Sequence, residues 1–163
     1  MKLYSDKLFT HSQVRVGCKG KPIVVTKIRT MKRGAQQEYY KDHTISDALK
    51  NKPDNRVTWF GRFLRKSKID EVPQLMNLFR GELRLISWRP VLRKEVRHFP
   101  SDIKKIYLEL GPGLFSVFYS LPKARRTRET TFAEYRAFYK LYKKSPSRAY
   151  AKYGAKILAN WFR

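Results

Sequence analysis

The sequence predicts an α+β fold: a mostly helical single domain, spanning residues 1–163, with a small N-terminal β-hairpin. Three observations predict it. Residues 13–30 alternate in character around a Gly- and Pro-containing turn, apolar residues recur at helical spacing after Ser67, and residues 132–161 form an aromatic-rich helical stretch. Apolar residues make up 42% of the chain, with ten Tyr, ten Phe and three Trp, enough to bury one core.

In the hairpin, Gln13-Val14-Arg15-Val16 runs into Gly17-Cys18-Lys19-Gly20-Lys21-Pro22 and returns as Ile23-Val24-Val25-Thr26-Lys27-Ile28, with glycines supplying the turn. Residues 32–57 are polar and read as a loop or short helix. The pattern turns apolar again from Val57 to Leu64. A helix is expected after Ser67. Either Ser67 caps it, with Asp70 in the capping-box position, or Asp70 is itself the N-cap and Pro73 falls harmlessly in the first turn. Leu75, Leu78 and Phe79 then share one face, and Gly81 stops the helix. Arg84 and Ile86 suggest a short extended piece. Residues 91–110 read as a second helix, ended by Gly111-Pro112-Gly113. Residues 114–121 are strand-like or buried, and 123–128 (KARRTR) form a basic loop. The aromatic-rich helix is expected to break at Ser145-Pro146.

Charge narrows the partners. Thirty-seven Lys and Arg against thirteen Asp and Glu give +24, which calls for an anionic partner: nucleic acid, an anionic membrane surface or a phosphorylated substrate. Cys18 is the sole cysteine, so an internal disulfide is excluded, as is a zinc site built on several cysteines. It reads as an inert hairpin residue, and His98 as a surface histidine. The apolar runs are far shorter than the ~18 residues that span a bilayer, and the first thirteen residues lack the apolar core of a secretory signal. The chain is therefore expected to work inside the cell, reaching a membrane from its surface or through a partner.

Residues 61–90 concentrate the chemistry. Asp70 and Glu71 are adjacent, amid Arg62, Arg65, Lys66 and Lys68, and Arg89 stands beside a backbone-fixing Pro90. By itself an acidic pair in a first helical turn complements the helix dipole, and a lone Arg is a surface residue. In a chain with so few carboxylates, the pair also suits a divalent cation, with the neighbouring cations taking phosphate oxygens.

Three blocks, in order, resemble the bacterial sugar transferase family, the monotopic polyprenyl-phosphate phosphoglycosyl transferases. They are Gln13-Val14-Arg15-Val16-Gly17 through Lys27-Ile28-Arg29-Thr30-Met31; Gly61-Arg62-Phe63-Leu64-Arg65 with Ser67, Asp70, Glu71, Pro73, Gln74, Leu75, Asn77, Gly81 and Glu82; and Arg89-Pro90 with Gly111-Pro112-Gly113. The second is the specific one.

The resemblance implies a catalytic domain that transfers a sugar 1-phosphate from a UDP-sugar to polyprenyl phosphate. Asp70 would be the nucleophile, forming an aspartyl-phosphosugar intermediate with ping-pong kinetics, and Glu71 would hold Mg²⁺. Arg65, Arg89, Arg29, Lys27 and Arg62 are the implied phosphate or nucleotide contacts. Such a transferase begins an exopolysaccharide, O-antigen or glycoprotein glycan on the cytoplasmic face of the cell membrane. Family members carry a re-entrant membrane helix upstream of the hairpin, whereas this sequence starts almost at the hairpin; a shortened piece, a split enzyme with a separate membrane-anchoring subunit as partner, and a remnant are the readings this leaves open.

The sequence departs from the family pattern at Ser87-Trp88, where a bulky Trp is expected to reshape the nucleotide pocket. It departs again at Leu114-Phe115-Ser116, and at Tyr139 and Ala151, where the family has acids. A relative that binds without turnover is the first alternative, and a nucleic-acid-binding domain the second, though no nucleic-acid signature accompanies the charge. The basic and aromatic residues of 125–163 would face an anionic bilayer, although each aromatic taken singly reads first as core.

Overall fold

In the computed structural model, residues 4–6, 8–32 and 56–161 are described. The expected hairpin is present as β2 (Thr10–Val16) and β3 (Pro22–Ile28), paired antiparallel with Val14 opposite Val24. Its turn uses left-handed conformations at Lys19 and Gly20. A third strand not foreseen in the sequence, β1 (Tyr4–Asp6), pairs with β2. Period-2 alternation puts Ile23, Val25 and Lys27 on one side of β3. Ile23 and Val25 are buried with Leu83, and Lys27 is thereby turned toward the segment that crosses that side. The loop or helix expected over 32–57 lies almost wholly outside the described residues. At its two ends Met31 and Val57 form a β-bridge.

Helix α1 (Trp59–Ser67) begins where Thr58 accepts a hydrogen bond from the Gly61 N–H, 2.9 Å. It approaches the chain at Thr30 so closely that a Cβ at Gly61 would overlap the Thr30 carbonyl. A 3-10 turn (Ile69–Gln74) and a short helix α2 (Leu75–Phe79) follow, lying on β3.

A two-stranded parallel sheet joins β4 (Arg84–Ser87) to β5 (Gly113–Ser116). Its crossover carries α3 (Arg93–Val96) and α4 (Ser101–Leu110). The single helix expected over 91–110 is thus two, separated around Pro100, whose ring supplies no N–H and fixes φ. Its predicted end at Gly111 holds, with φ of 81° there. At Gly113 a Cβ would overlap the Ser87 backbone nitrogen, so the parallel pair needs glycine there. A 3-10 turn (Val117–Ser120) completes the strand-like region.

Two long helices close the fold: α5 (Arg128–Lys144), capped by Thr127, and α6 (Pro146–Trp161). They separate at Ser145-Pro146, as expected. Phe132, Tyr135, Phe138, Ala149, Tyr153 and Ile157 face inward and pack with Ile86, Ile103 and Val117. Phe132, Tyr135, Phe138 and Tyr153 thus build the core, the reading each aromatic takes singly, and do not face a bilayer. Trp88 joins them, 5.4 Å from the Phe99 and Phe132 rings and 5.2 Å from Tyr135, so its bulk is spent on core packing.

Candidate active site

The acid pair lies between two helices. Helix α1 ends at Ser67, whose hydroxyl donates back to the Phe63 carbonyl (3.0 Å), and Lys68 then turns left-handed, φ 59°. Neither expected cap is formed. Ser67 closes the preceding helix instead of opening the next, and Asp70 accepts no capping bond; both sit where a left-handed residue, not a side-chain cap, makes the junction. Reversing the chain in so short a space brings the Asp70-Glu71 turn back against β3.

The turn and α2 have their polarity reversed. Asp70 (6% exposed), Gln74 (2%) and Asn77 (5%) are buried, while Ile69, Val72, Leu75, Met76 and Phe79 are exposed. Leu75 and Phe79 do share a face, as the spacing indicates, but it is the outer one. Trp59, Phe60 and Phe63 of α1 are also exposed, Trp59 and Phe79 both 81%. Eight large apolar side chains in 21 residues thus face outward. Folding normally buries such groups, each worth roughly 1.5–3 kcal/mol. Asn77 fixes the segment instead, donating to the Val24 carbonyl (2.8 Å) and to Glu82 Oε2 (2.6 Å).

Cations converge on the pair. Lys27 Nζ is 2.6 Å from Glu71 Oε1. Burial pushes the Asp70 carboxyl above the usual carboxylate range, with Glu71 adding to the rise and Lys27, Lys68 and Arg65 opposing it. Asp70 Oδ1 is buried without a hydrogen-bond partner. Arg65 Nε donates to Thr30 Oγ1 at 2.8 Å, which fixes its stem beside the site. Lys68 Nζ donates to the Tyr119 hydroxyl (2.9 Å) and lies 4.3 Å from that ring's centre. Its ammonium is held above its usual value although burial works against the charge, because Tyr119, Glu71 and Asp70 outweigh it. Arg126 of the basic loop stacks on Phe118 and Tyr119, 5.1 and 5.4 Å from the ring centres, tying that loop to the same edge.

Of the residues singled out in the sequence, Asp70, Glu71, Lys27 and Arg65 come together. Arg62 is exposed on α1. Arg89 is exposed and pairs with Glu95 (3.7 Å), which also accepts from Arg15 (3.4 Å) and from the Leu92 N–H (2.6 Å). The Arg29 backbone N–H donates to the Phe9 carbonyl (2.9 Å) just beyond β3. Three participants were given no role from the sequence: Thr30 and Gln74, which appear there only within the family-resembling blocks, and Tyr119. Gln74 also carried a spacing signal, standing four residues from Asp70 and three from Asn77. Cys18 Sγ meets the Glu109 carbonyl (3.3 Å), and His98 is exposed. Among the described residues, no three His, Cys, Asp or Glu side chains gather as a metal cage, and no helix is long and apolar enough to cross a membrane.

Comparison with known proteins places residues 1–147 on the family model described as bacterial sugar transferase. The chain is 35% identical over 109 residues to an undecaprenyl-phosphate galactose phosphotransferase of Salmonella typhimurium, covering 61% of this chain and 22% of that one. It is 35% identical over 108 residues to the exopolysaccharide production protein ExoY of Sinorhizobium fredii (61% and 47%). It is 33% identical over 108 residues to a UDP-galactose-lipid carrier transferase of Erwinia amylovora (61% and 22%). The matched region thus spans less than half the length of these three relatives.

Proposed function

The chain belongs to the bacterial sugar transferase family, and from that membership we propose that it transfers a sugar 1-phosphate from a UDP-sugar to polyprenyl phosphate. The observation that carries the reading is a buried carboxylate, Asp70, with an unpartnered oxygen, ringed by Lys27, Arg65 and Lys68 on a segment whose outer face is apolar. Relatives named for undecaprenyl phosphate, for a UDP-galactose lipid carrier and for exopolysaccharide production support the same chemistry.

In the first half-reaction an Asp70 carboxylate oxygen bonds to the β-phosphorus of the UDP-sugar. The bond from that phosphorus to the bridging oxygen breaks, and UMP departs with the electron pair. In the second, an oxygen of polyprenyl phosphate attacks the same phosphorus and the Asp70 carboxylate is released. Charge balances in both steps without a proton transfer, which suits a carboxylate nucleophile. Lys27, Arg65 and Lys68 would hold the diphosphate oxygens.

Two adjacent carboxylates fit Mg²⁺, which is commonly held by one or two carboxylates with substrate phosphates and water. Glu71 would be its principal protein ligand, through the oxygen that Lys27 does not occupy. When bound, the ion would neutralise diphosphate charge.

The acceptor is a lipid, and the exposed apolar residues on both sides of Asp70 support its arrival from a membrane. We therefore assign the outer face of α1, the 3-10 turn and α2 to the bilayer surface on the cytoplasmic side, with Arg62 and Lys66 reaching anionic headgroups. A separate anchoring subunit would add to this attachment.

The test is Mg²⁺-dependent UMP release from a panel of UDP-sugars, in liposomes containing polyprenyl phosphate, with Asp70→Asn as control. Release lost in the variant upholds the reading and identifies the sugar. Release unaffected by Asp70→Asn overturns the covalent step. No release with any sugar overturns the transferase activity of this chain.

A further inference from the structure

We propose that Gln74 is a direct phosphate ligand: its side-chain N–H donates to a non-bridging oxygen of the phosphoryl group that Asp70 attacks. The inference rests on the transferase reading and extends it to a residue that the site description otherwise leaves without a role.

Two buried polar atoms of one six-residue turn have no hydrogen-bond partner among the described residues: Asp70 Oδ1 and Gln74 Nε2. One is an acceptor and the other a donor. They do not bond to each other, and Gln74 as a whole is 2% exposed. Leaving a polar group buried and unsatisfied is costly, so folded proteins retain few of them. Asn77, the next buried polar residue along, shows what a purely structural amide does here: it bonds to the β3 backbone and to Glu82. Gln74 Nε2 has no such bond among the described residues.

A phosphoryl group satisfies both orphans together. Its phosphorus is the electrophile that the carboxylate needs, and its non-bridging oxygens are strong acceptors for an amide N–H. The donor would also act where negative charge develops as the phosphorus is attacked, so its contribution would be larger in the transition state than in the ground state. An amide is chemically suited to this position. Unlike lysine or arginine it adds no cation to compete for Asp70, and unlike glutamate it adds no charge that would repel the diphosphate.

The test compares wild type with Gln74→Met, which keeps the length and removes the donor. The readouts are pre-steady-state UMP release and the mass of the covalent adduct, with melting temperature measured alongside. The inference expects melting at or above the wild-type temperature and adduct formation slowed about 100-fold, mainly in the rate constant rather than in KM. Adduct formation at the wild-type rate overturns it.

A second measurement needs neither a variant nor turnover. The Gln74 side-chain amide is followed by ¹⁵N–¹H NMR in the wild-type chain as pyrophosphate and Mg²⁺ are added. A saturable downfield shift of one amide proton is expected; an unmoved resonance overturns the inference even if Gln74→Met fails to fold. If no UDP-sugar is turned over but pyrophosphate still shifts Gln74, the transferase reading fails and the phosphate ligand stands. If UMP is released equally fast from both proteins, the reading stands and the ligand falls.

Discussion

Lys27 Nζ lies 2.6 Å from Glu71 Oε1, across 44 residues of sequence. This contact joins the hairpin to the acid-bearing turn and puts a cation beside two carboxylates, one of which is buried. Because Lys27 favours the ionised form of Asp70, its removal has a signed effect on pH dependence.

In the proposed reaction Asp70 attacks phosphorus as the carboxylate, and its carboxyl is held above the usual value of 3.8. UMP release should therefore rise with pH along an acid limb lying above that value. In Lys27→Met the limb should move to still higher pH, with a lower plateau from loss of the proposed phosphate contact. Profiles of kcat/KM for the two proteins measure this directly, and a limb displaced to lower pH in the variant would contradict the assignment.

Linkage gives the corresponding stability effect. A carboxyl raised on folding stabilises the fold most below its unfolded pKa, and that contribution is lost as pH rises through the folded value. Where Asp70 is ionised it therefore works against folding. Asp70→Asn should melt a few degrees higher than wild type, about what 1 kcal/mol does in a domain of this size, while UMP release is abolished. Calorimetry at pH 7 and pH 4 separates the cases, since the gain should shrink at the lower pH.

Gly61 tests the packing beneath the site. A methyl group there would meet the Thr30 carbonyl, and Thr30 also accepts from Arg65 and from the Thr58 backbone (3.0 Å). Gly61→Ala should cost about 1–3 kcal/mol, the usual range for overpacking. Activity should fall as Arg65 shifts. Denaturant unfolding measures the first effect and UMP release the second.

The outward apolar face is tested by charge. Phe63→Asp with Phe79→Asp should leave melting within about 1 °C, because both side chains are exposed and exposed positions contribute little to folding. Sedimentation with anionic liposomes should fall at least tenfold. Equal liposome binding by the double variant would remove this face from the membrane.

The parts of the fold written in local chemistry were legible in the sequence. The hairpin turn, the stop at Gly111 and the break at Ser145-Pro146 each follow from what Gly or Pro does to a backbone. The junction before Asp70 was not. Ser67 and Asp70 both have cap chemistry, and the choice fell to a left-handed lysine that no residue preference announces. The periodicity of Leu75, Leu78 and Phe79 was correctly read as a face, but period alone does not say which side of a helix is inside. That sign was set by Asp70, Gln74 and Asn77, whose own spacing marks the buried side. Asp70 and Glu71 stood out because carboxylates are scarce here. Tyr119 did not, because it meets the site from a distant part of the chain, and Thr30, though inside a family-resembling block, carries no charge to mark it.

The reversed polarity of residues 69–79 also bears on handling the protein. Away from a bilayer, its outward side chains have only each other or a second molecule to cover them, so concentrated preparations in plain buffer should self-associate through this face and disperse with mild detergent. Redesign for solubility would begin with the same residues, and every gain in monodispersity won there would be taken from the membrane contact proposed for this face.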